Sequence, residues 1–322
     1  MTDNSSLTAI HQFHVQLKED LHRVIVGYDA LIDLMTTSLL SDGNILLEGV
    51  PGTAKTSICK MFAKNIAGEF GRLQGSVDIQ PADVLGVRMY MKENDEFVFQ
   101  KGPVFSNILL VDEVNRMTPK AQAALLEALA ERQVTVDNIN YPLPTPFMMV
   151  ATQNPYEMDG TFQLIEAQKD RFMFSIQVSH LTSEEEYEIL RRGMQDGLNL
   201  EKYFVDTTRV VTSVKDILDM QNTVRSIYAS EDIIAYIGDI IMATRTHGDV
   251  KLGVSTRGSL ALLRGAQAKA AMQERDYVIP DDVKSLALYA LAHRIALKRE
   301  SVLGGITVSQ VITDILNSVA VQ

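Results

Sequence analysis

Residues Asn44-Ile-Leu-Leu-Glu-Gly-Val-Pro-Gly-Thr-Ala-Lys-Thr56, running on into Ser57-Ile-Cys-Lys-Met-Phe-Ala63, read as an apolar strand, a glycine-rich turn and the start of a helix. That order makes a phosphate cradle. The first N–H groups of a helix have no partner within it, and a glycine-rich approach lets them converge on a polyphosphate. Lys55 adds a mobile positive charge. Thr56 adds a hydroxyl suited to the Mg2+ that accompanies β- and γ-phosphates, which is the logic of the pattern G-x-x-x-x-G-K-[ST]. Ala54 stands where that pattern has its last glycine. Alanine gives up easy access to positive φ but fits a helical N-terminal geometry.

Two further apolar runs end in polar groups. Ser106-Asn-Ile-Leu-Leu-Val-Asp-Glu113 suits a buried parallel strand that delivers carboxylates to its C-terminal edge, where open α/β sheets bind ligands. Asp112 would orient the Mg2+ shell and Glu113 would polarise the water that attacks the γ-phosphate. Taken alone, the run is equally a strand entering an acidic turn; the cradle about sixty residues upstream favours the nucleotide reading. Pro146-Phe-Met-Met-Val-Ala-Thr-Gln-Asn154 is the third strand, and the Asn154 amide is a candidate for holding the attacking water. Asparagine before Pro155 is also an ordinary turn signal.

Strands ending in Lys/Thr, Asp/Glu and Asn resemble the core of an AAA+ ATPase, and longer phrases resemble its MoxR family. They are Val26-Gly27, Leu47-Glu-Gly-Val-Pro-Gly-Thr-Ala-Lys-Thr56, Gln80-Pro-Ala-Asp-Val-Leu-Gly86, Gly102-Pro-Val-Phe-Ser-Asn107, Val111-Asp-Glu-Val-Asn-Arg116, Leu125-Leu-Glu-Ala-Leu129 and Ala151-Thr-Gln-Asn-Pro155. They follow family order and spacing, and the resemblance as a whole runs over residues 24–295. The resemblance implies an α/β fold: a P-loop parallel sheet flanked by helices, then a small all-helical lid. It implies ATP held by Val26, Gly27, Gly49, Pro51, Gly52, Thr53, Ala54, Lys55, Thr56 and Ser57, with Mg2+ on Thr56 and Asp112. Glu113, Asn154, Arg171 and Arg257 are its catalytic residues.

The arginines matter because a γ-phosphate transition state spreads negative charge over its oxygens, which a guanidinium can stabilise bidentately. Arg171, in Glu166-Ala-Gln-Lys-Asp-Arg-Phe172, resembles a finger supplied to the neighbouring subunit. Arg257, in Gly253-Val-Ser-Thr-Arg257, resembles a lid sensor that contacts the chain's own nucleotide. Arg116 is a further candidate for a subunit contact. The chain departs from the family at Gln163, Ile165 and Thr256, where prolines are usual, and the family tolerates alanine at position 54. Family membership further implies a hexameric ring, ATP hydrolysis, and a client protein matured or remodelled with a von Willebrand factor A domain partner. Alternatives are a slow nucleotide-gated binding switch and the ATPase subunit of a magnesium-chelatase-like complex.

Composition is compatible with this. A chain of 322 residues suggests two domains, placed at 1–181 and 182–322. The formal net charge of -11 disfavours broad nucleic-acid binding. The start Met1-Thr-Asp-Asn-Ser-Ser6 has no basic-then-apolar pattern, and no apolar run is long enough to span a membrane, so a cytoplasmic location with no transmembrane segment is expected. The one cysteine, Cys59, is expected to be a small buried residue. His11 and His14 lack a second ligand pair for a metal.

The N-terminal stretch reads as a polar helical region, and beyond about residue 178 the chain reads as helical again. Ser183-Glu-Glu-Glu186 suggests a capping box, and residues 255–272 and 280–297 have helical spacing. Residues 72–87 resemble an insert in the family's second helix. Gln133-Val-Thr-Val-Asp-Asn-Ile-Asn-Tyr-Pro-Leu143 reads as a hairpin turning at Asp137-Asn138. Both are candidates for facing a ring pore and the client.

Overall fold

The computed structural model describes residues 4–49, 54–92, 95–154, 160–196 and 208–321. Its centre is a five-stranded parallel sheet of β1 (Ile45–Gly49), β2 (Phe70–Gln74), β5 (Ile108–Asp112), β8 (Met148–Gln153) and β9 (Phe174–Val178), in the order β2-β5-β8-β1-β9. Alternation explains why both faces must be covered. Ile45, Leu47, Ile108, Leu110, Met148 and Val150 enter one core, while Leu46, Leu109, Val111, Met149 and Ala151 enter the other. Strands apolar on both faces are what helices packed on either side require.

The first face carries α1 (Asn4–His22), α2 (Asp29–Leu40), α3 (Lys55–Asn65) and most of the C-terminal helices. Helix α1 is less polar than expected: Leu7, Ile10, Phe13, Leu17 and Leu21 form a buried stripe at helical spacing. That stripe packs partly on a C-terminal helix, where His11 Nδ1 meets the Met272 carbonyl at 2.8 Å. One apolar core thus joins the N-terminal helices, a sheet face and the C-terminal helices. The second face carries α4 (Pro81–Leu85) and α5 (Pro119–Glu131), the latter capped by Thr118, whose hydroxyl accepts from the Ala121 N–H. Cys59 is buried, and burial first, then the Asp112 charge, pushes its thiol up out of the reactive range.

Two hairpins project beside this second core. β6 (Gln133–Val136) and β7 (Ile139–Pro142) turn at Asp137 and Asn138, both at positive φ, as expected of that dipeptide. The other hairpin corrects the expected insert over 72–87. Arg72 belongs to β2 of the main sheet, and the excursion is β3 (Gly86–Met91) paired with β4 (Glu96–Lys101). The hairpins are joined by Phe99 stacked on Tyr141 at 4.0 Å and by Arg88–Asp137 at 3.9 Å. Val87, Met89, Met91 and Val98 stay exposed on the opposite face of β3–β4.

The short turn α6 (Glu166–Lys169) leads into β9. After β9 come α7 (Ser183–Asp196), α8 (Val214–Arg225), α9 (Glu231–Thr246), α10 (Thr256–Met272), α11 (Pro280–Leu291), α12 (Arg299–Leu303) and α13 (Val308–Ser318). The capping box of α7 starts one residue earlier than expected. Thr182 N–H donates to Glu185 Oε2 at 2.8 Å and Glu185 N–H to Thr182 Oγ1 at 3.3 Å. The helix expected over 280–297 stops at Leu291. A 3-10 turn, Ala292–Arg294, and a strand, β11 (Ala296–Leu297), replace its end, because β11 pairs with β10 (Val250–Leu252) and Arg294 turns inward.

Candidate functional site

The parallel register brings the ends of β1, β5 and β8 side by side, so Gly49, Asp112 and Asn154 share one edge of the sheet. A side chain at Gly49 would put its Cβ 2.4 Å from the Val178 carbonyl, so the exit from β1 needs glycine. Pro51, Gly52 and Thr53 of the expected cradle lie outside the described residues. Ala54 does not take the helical geometry expected of it. It has φ 50° and ψ 11°, the left-handed conformation of the glycine it replaces, at a cost of about 1–2 kcal/mol. Lys55, Thr56 and Ser57 open α3 directly after it. Val26 and Gly27 link α1 to α2 at the same end, against Leu181 and Glu185, and Gly27 has φ +72°.

Lys55 lies within electrostatic reach of both candidate acids. Partial burial lowers its pKa, and the charges of Asp112 and Glu113 oppose that shift. Glu113 is in the left-handed region, φ 55° and ψ 53°, which a glutamate occupies only when its surroundings hold it there. Its N–H donates to Thr152 Oγ1 of the adjacent strand at 2.9 Å. Gly75 makes the close approach possible on the other side, since a Cβ there would sit 2.1 Å from the Glu113 carbonyl oxygen.

Four groups absent from the sequence reading, or only partly in it, engage carboxylates at this edge. Arg72 Nε donates to Asp112 Oδ2 at 3.0 Å, and Nη2 forms an ion pair with the same oxygen at 3.0 Å. Gln74 Nε2 and Arg116 Nε reach Glu113 Oε2 at 3.2 and 3.1 Å. Gln153 Nε2 donates to Glu48 Oε1 at 2.5 Å. The oxygen donors fit Mg2+: a strand-end carboxylate and the Thr56 hydroxyl are too few for an all-protein cage but sufficient for a cation shared with phosphates and water, and Oδ2 of Asp112 already takes a cationic partner. No cluster of three metal-ligating side chains occurs among the described residues.

Arg171 and Arg257 lie at a common end of the sheet, but not at this edge. It is the opposite end, where Met173 N–H donates to the Asn44 carbonyl just ahead of β1. Arg171 Nη1 donates to the Leu126 carbonyl of α5 at 2.9 Å. Its neighbour Asp170 accepts from Ser255 Oγ at 2.8 Å, Arg257 Nη1 at 3.3 Å and Arg294 Nε at 2.9 Å. This corrects the expectation that Arg257 contacts the chain's own nucleotide. The length of β1 and β9, about 13 Å of strand rise, separates the Asp170 cluster from Gly49. Arg257 is tied to the same end as Arg171.

Arg294 has no motif signal, yet it is the buried member of the cluster, 5% exposed. Besides Asp170 it donates to the carbonyls of Phe172 (2.6 Å), Met173 (3.1 Å) and Ala290. Burial lowers its pKa and the Asp170 carboxylate opposes that. Replacing Arg294 by methionine is expected to cost about 3 kcal/mol or more, because a largely buried carboxylate and four carbonyls, that of Asp170 included, lose a donor. Arg257→Ala, at a half-exposed ion pair, should cost under about 1 kcal/mol. Denaturant midpoints of the two variants measure the contrast, and equal losses would refute it.

Comparison with known proteins gives two family matches. Residues 44–174 match the ATPase family associated with various cellular activities (AAA), and residues 242–315 match the AAA lid domain. An uncharacterised Bacillus subtilis protein, YeaC, is 40% identical over 97% of this chain and 96% of its own length. Chaperone MoxR1 of Mycobacterium tuberculosis is 38% identical over 94% of this chain and 80% of its own. A crystal structure from Cytophaga hutchinsonii, described as that of a candidate ATPase, superposes with a TM-score of 0.90 at 36% identity, covering 99% of this chain and 97% of the other.

Proposed function

Because the chain belongs to the MoxR family of AAA+ ATPases, we propose that it hydrolyses ATP at the junctions of a ring of identical chains and uses the resulting motion to remodel or mature a client protein. What carries this reading is the separation of parts. Lys55, Asp112, Glu113 and Asn154 gather at one end of the sheet, and both candidate transition-state arginines sit at the other. A complete site therefore needs two chains, head to tail.

In this mechanism Gly49, Pro51, Gly52, Thr53, Ala54, Lys55 and Ser57 hold the phosphates of ATP, and Val26 and Gly27 border the base. Bound Mg2+, on Thr56 and Asp112, would neutralise charge on the phosphate oxygens. Glu113 accepts the proton of the attacking water, and Asn154 holds that water in line. Arg171 of the neighbouring chain reaches the γ-phosphate, with Arg257 beside it, so Arg257 is assigned in trans. A hexamer, a cytoplasmic location and a von Willebrand factor A domain partner complete the reading. The two joined hairpins, with the apolar face of Val87, Met89, Met91 and Val98, are the surface assigned to the client. No helix of the described residues is long and apolar enough to cross a membrane. The net charge of -11 leaves nucleic acid an unfavoured partner.

ATP hydrolysis per chain, measured against protein concentration, tests this. A cooperative rise supports a site shared between chains. A rate independent of concentration means the site is complete in one chain, and the reading falls to a slow nucleotide-gated switch.

A further inference from the structure

Asp112 is engaged by a cation of the chain itself. Parallel pairing sets Arg72 opposite Leu110 and Gln74 opposite Asp112, so the alternating side chains of Arg72, Gln74 and Asp112 share one face of the sheet. Both contacts from Arg72 fall on a single oxygen, Oδ2. The guanidinium does not stop there: its Nη2 donates to Gln74 Oε1 at 3.1 Å, and Gln74 Nε2 donates to Glu113 Oε2 at 3.2 Å. One chain of bonds runs Asp112–Arg72–Gln74–Glu113, closed at its far end by Arg116.

The two ends differ in freedom. The Asp112 side chain is 12% exposed and sits on an inner strand; Arg72 is 47% exposed and sits on the outermost strand, β2. The carboxylate is fixed and the guanidinium can leave. A small divalent cation needs carboxylate oxygen in a tight shell, and a guanidinium on the same oxygen opposes it by like charge and by occupying its lone pairs.

Resting on the nucleotide-site reading above, we infer that Arg72 is a built-in competitor of the metal at Asp112: its guanidinium must leave Oδ2 before Mg2+ and nucleotide are held there together. Its departure also removes the partner of Gln74 Oε1, and so loosens the hold of Gln74 on Glu113. Metal loading and release of the water-activating carboxylate become one event. Arg72 is a positioning residue that acts through Asp112 and Gln74.

The test is a Mg2+ titration of the full-length chain at fixed mant-ADP, read by mant fluorescence, with no turnover required. Arg72→Gln is expected to lower the half-saturating Mg2+ concentration about tenfold, the size of one charge-assisted contact. Affinity for mant-ADP in EDTA should stay within about twofold, which also reports that the variant is folded. Arg72→Lys, which keeps the charge, should stay near the native midpoint. An unchanged or raised Mg2+ midpoint in Arg72→Gln, with mant-ADP binding intact, overturns the proposal, as does an equal drop in Arg72→Lys. If the native chain binds mant-ADP with no response to Mg2+, the reading of Asp112 as a metal ligand fails and takes this inference with it.

Discussion

Arg171→Ala should lower kcat for ATP about a thousandfold, the scale on which arginine fingers act, while each chain keeps its affinity for nucleotide. Binding is retained because Arg171 lies across the sheet from the phosphate cradle of its own chain. Folding should change by only about 1 kcal/mol, since the substitution removes a single hydrogen bond to the Leu126 carbonyl. Steady-state hydrolysis and mant-ATP binding separate these effects. A variant that also loses nucleotide binding would mean Arg171 serves its own site. Arg257→Ala should act in the same direction and more weakly, because its guanidinium is shared with Asp170.

Glu113→Gln is expected to reduce turnover by about 10²–10⁴-fold with ATP binding preserved. Glutamine keeps the shape of the side chain and can still meet Gln74 and Arg116, but it cannot take the proton from water. Single-turnover hydrolysis of bound ATP is the direct measurement, and normal turnover would remove Glu113 from the mechanism. Mixing this variant with Arg171→Ala is more discriminating. Chains with an intact cradle region can then pair with chains that keep the arginine, and part of the activity should return.

The three strands that build the candidate site are legible because each is an apolar run with a polar terminus, and burial on both faces makes such runs continuous. The hairpin at Asp137-Asn138 is legible for a local reason, a dipeptide that accepts positive φ. β2 is not. As an edge strand, Phe70–Gln74 buries only Leu73 fully, so it carries no apolar run, and Arg72 and Gln74 merge with the insert that follows. The hairpin β3–β4 exposes apolar residues and so blurs its own alternation. Arg257 is recognisable as an arginine at the start of a helix, but the sequence places it at the wrong end of the sheet. Its address depends on how the C-terminal helices dock. The docking is made by the shared apolar core and, at this end, pinned by Asp170 and Arg294, single charged residues whose partners are up to 124 positions away. Ala54 shows a similar limit: sequence permits a helical geometry, and the residue takes the left-handed one.

Placing acids and arginines at opposite ends of one sheet gives each chain a polarity, like a link with a hook and an eye. A contact between unlike surfaces can repeat without limit or close on itself. With sites built as proposed, a lone chain holds no complete site, an open row always carries one idle cradle at one end and one idle arginine pair at the other, and only closure leaves nothing unmatched. Closing the ring therefore adds a working site without adding a chain.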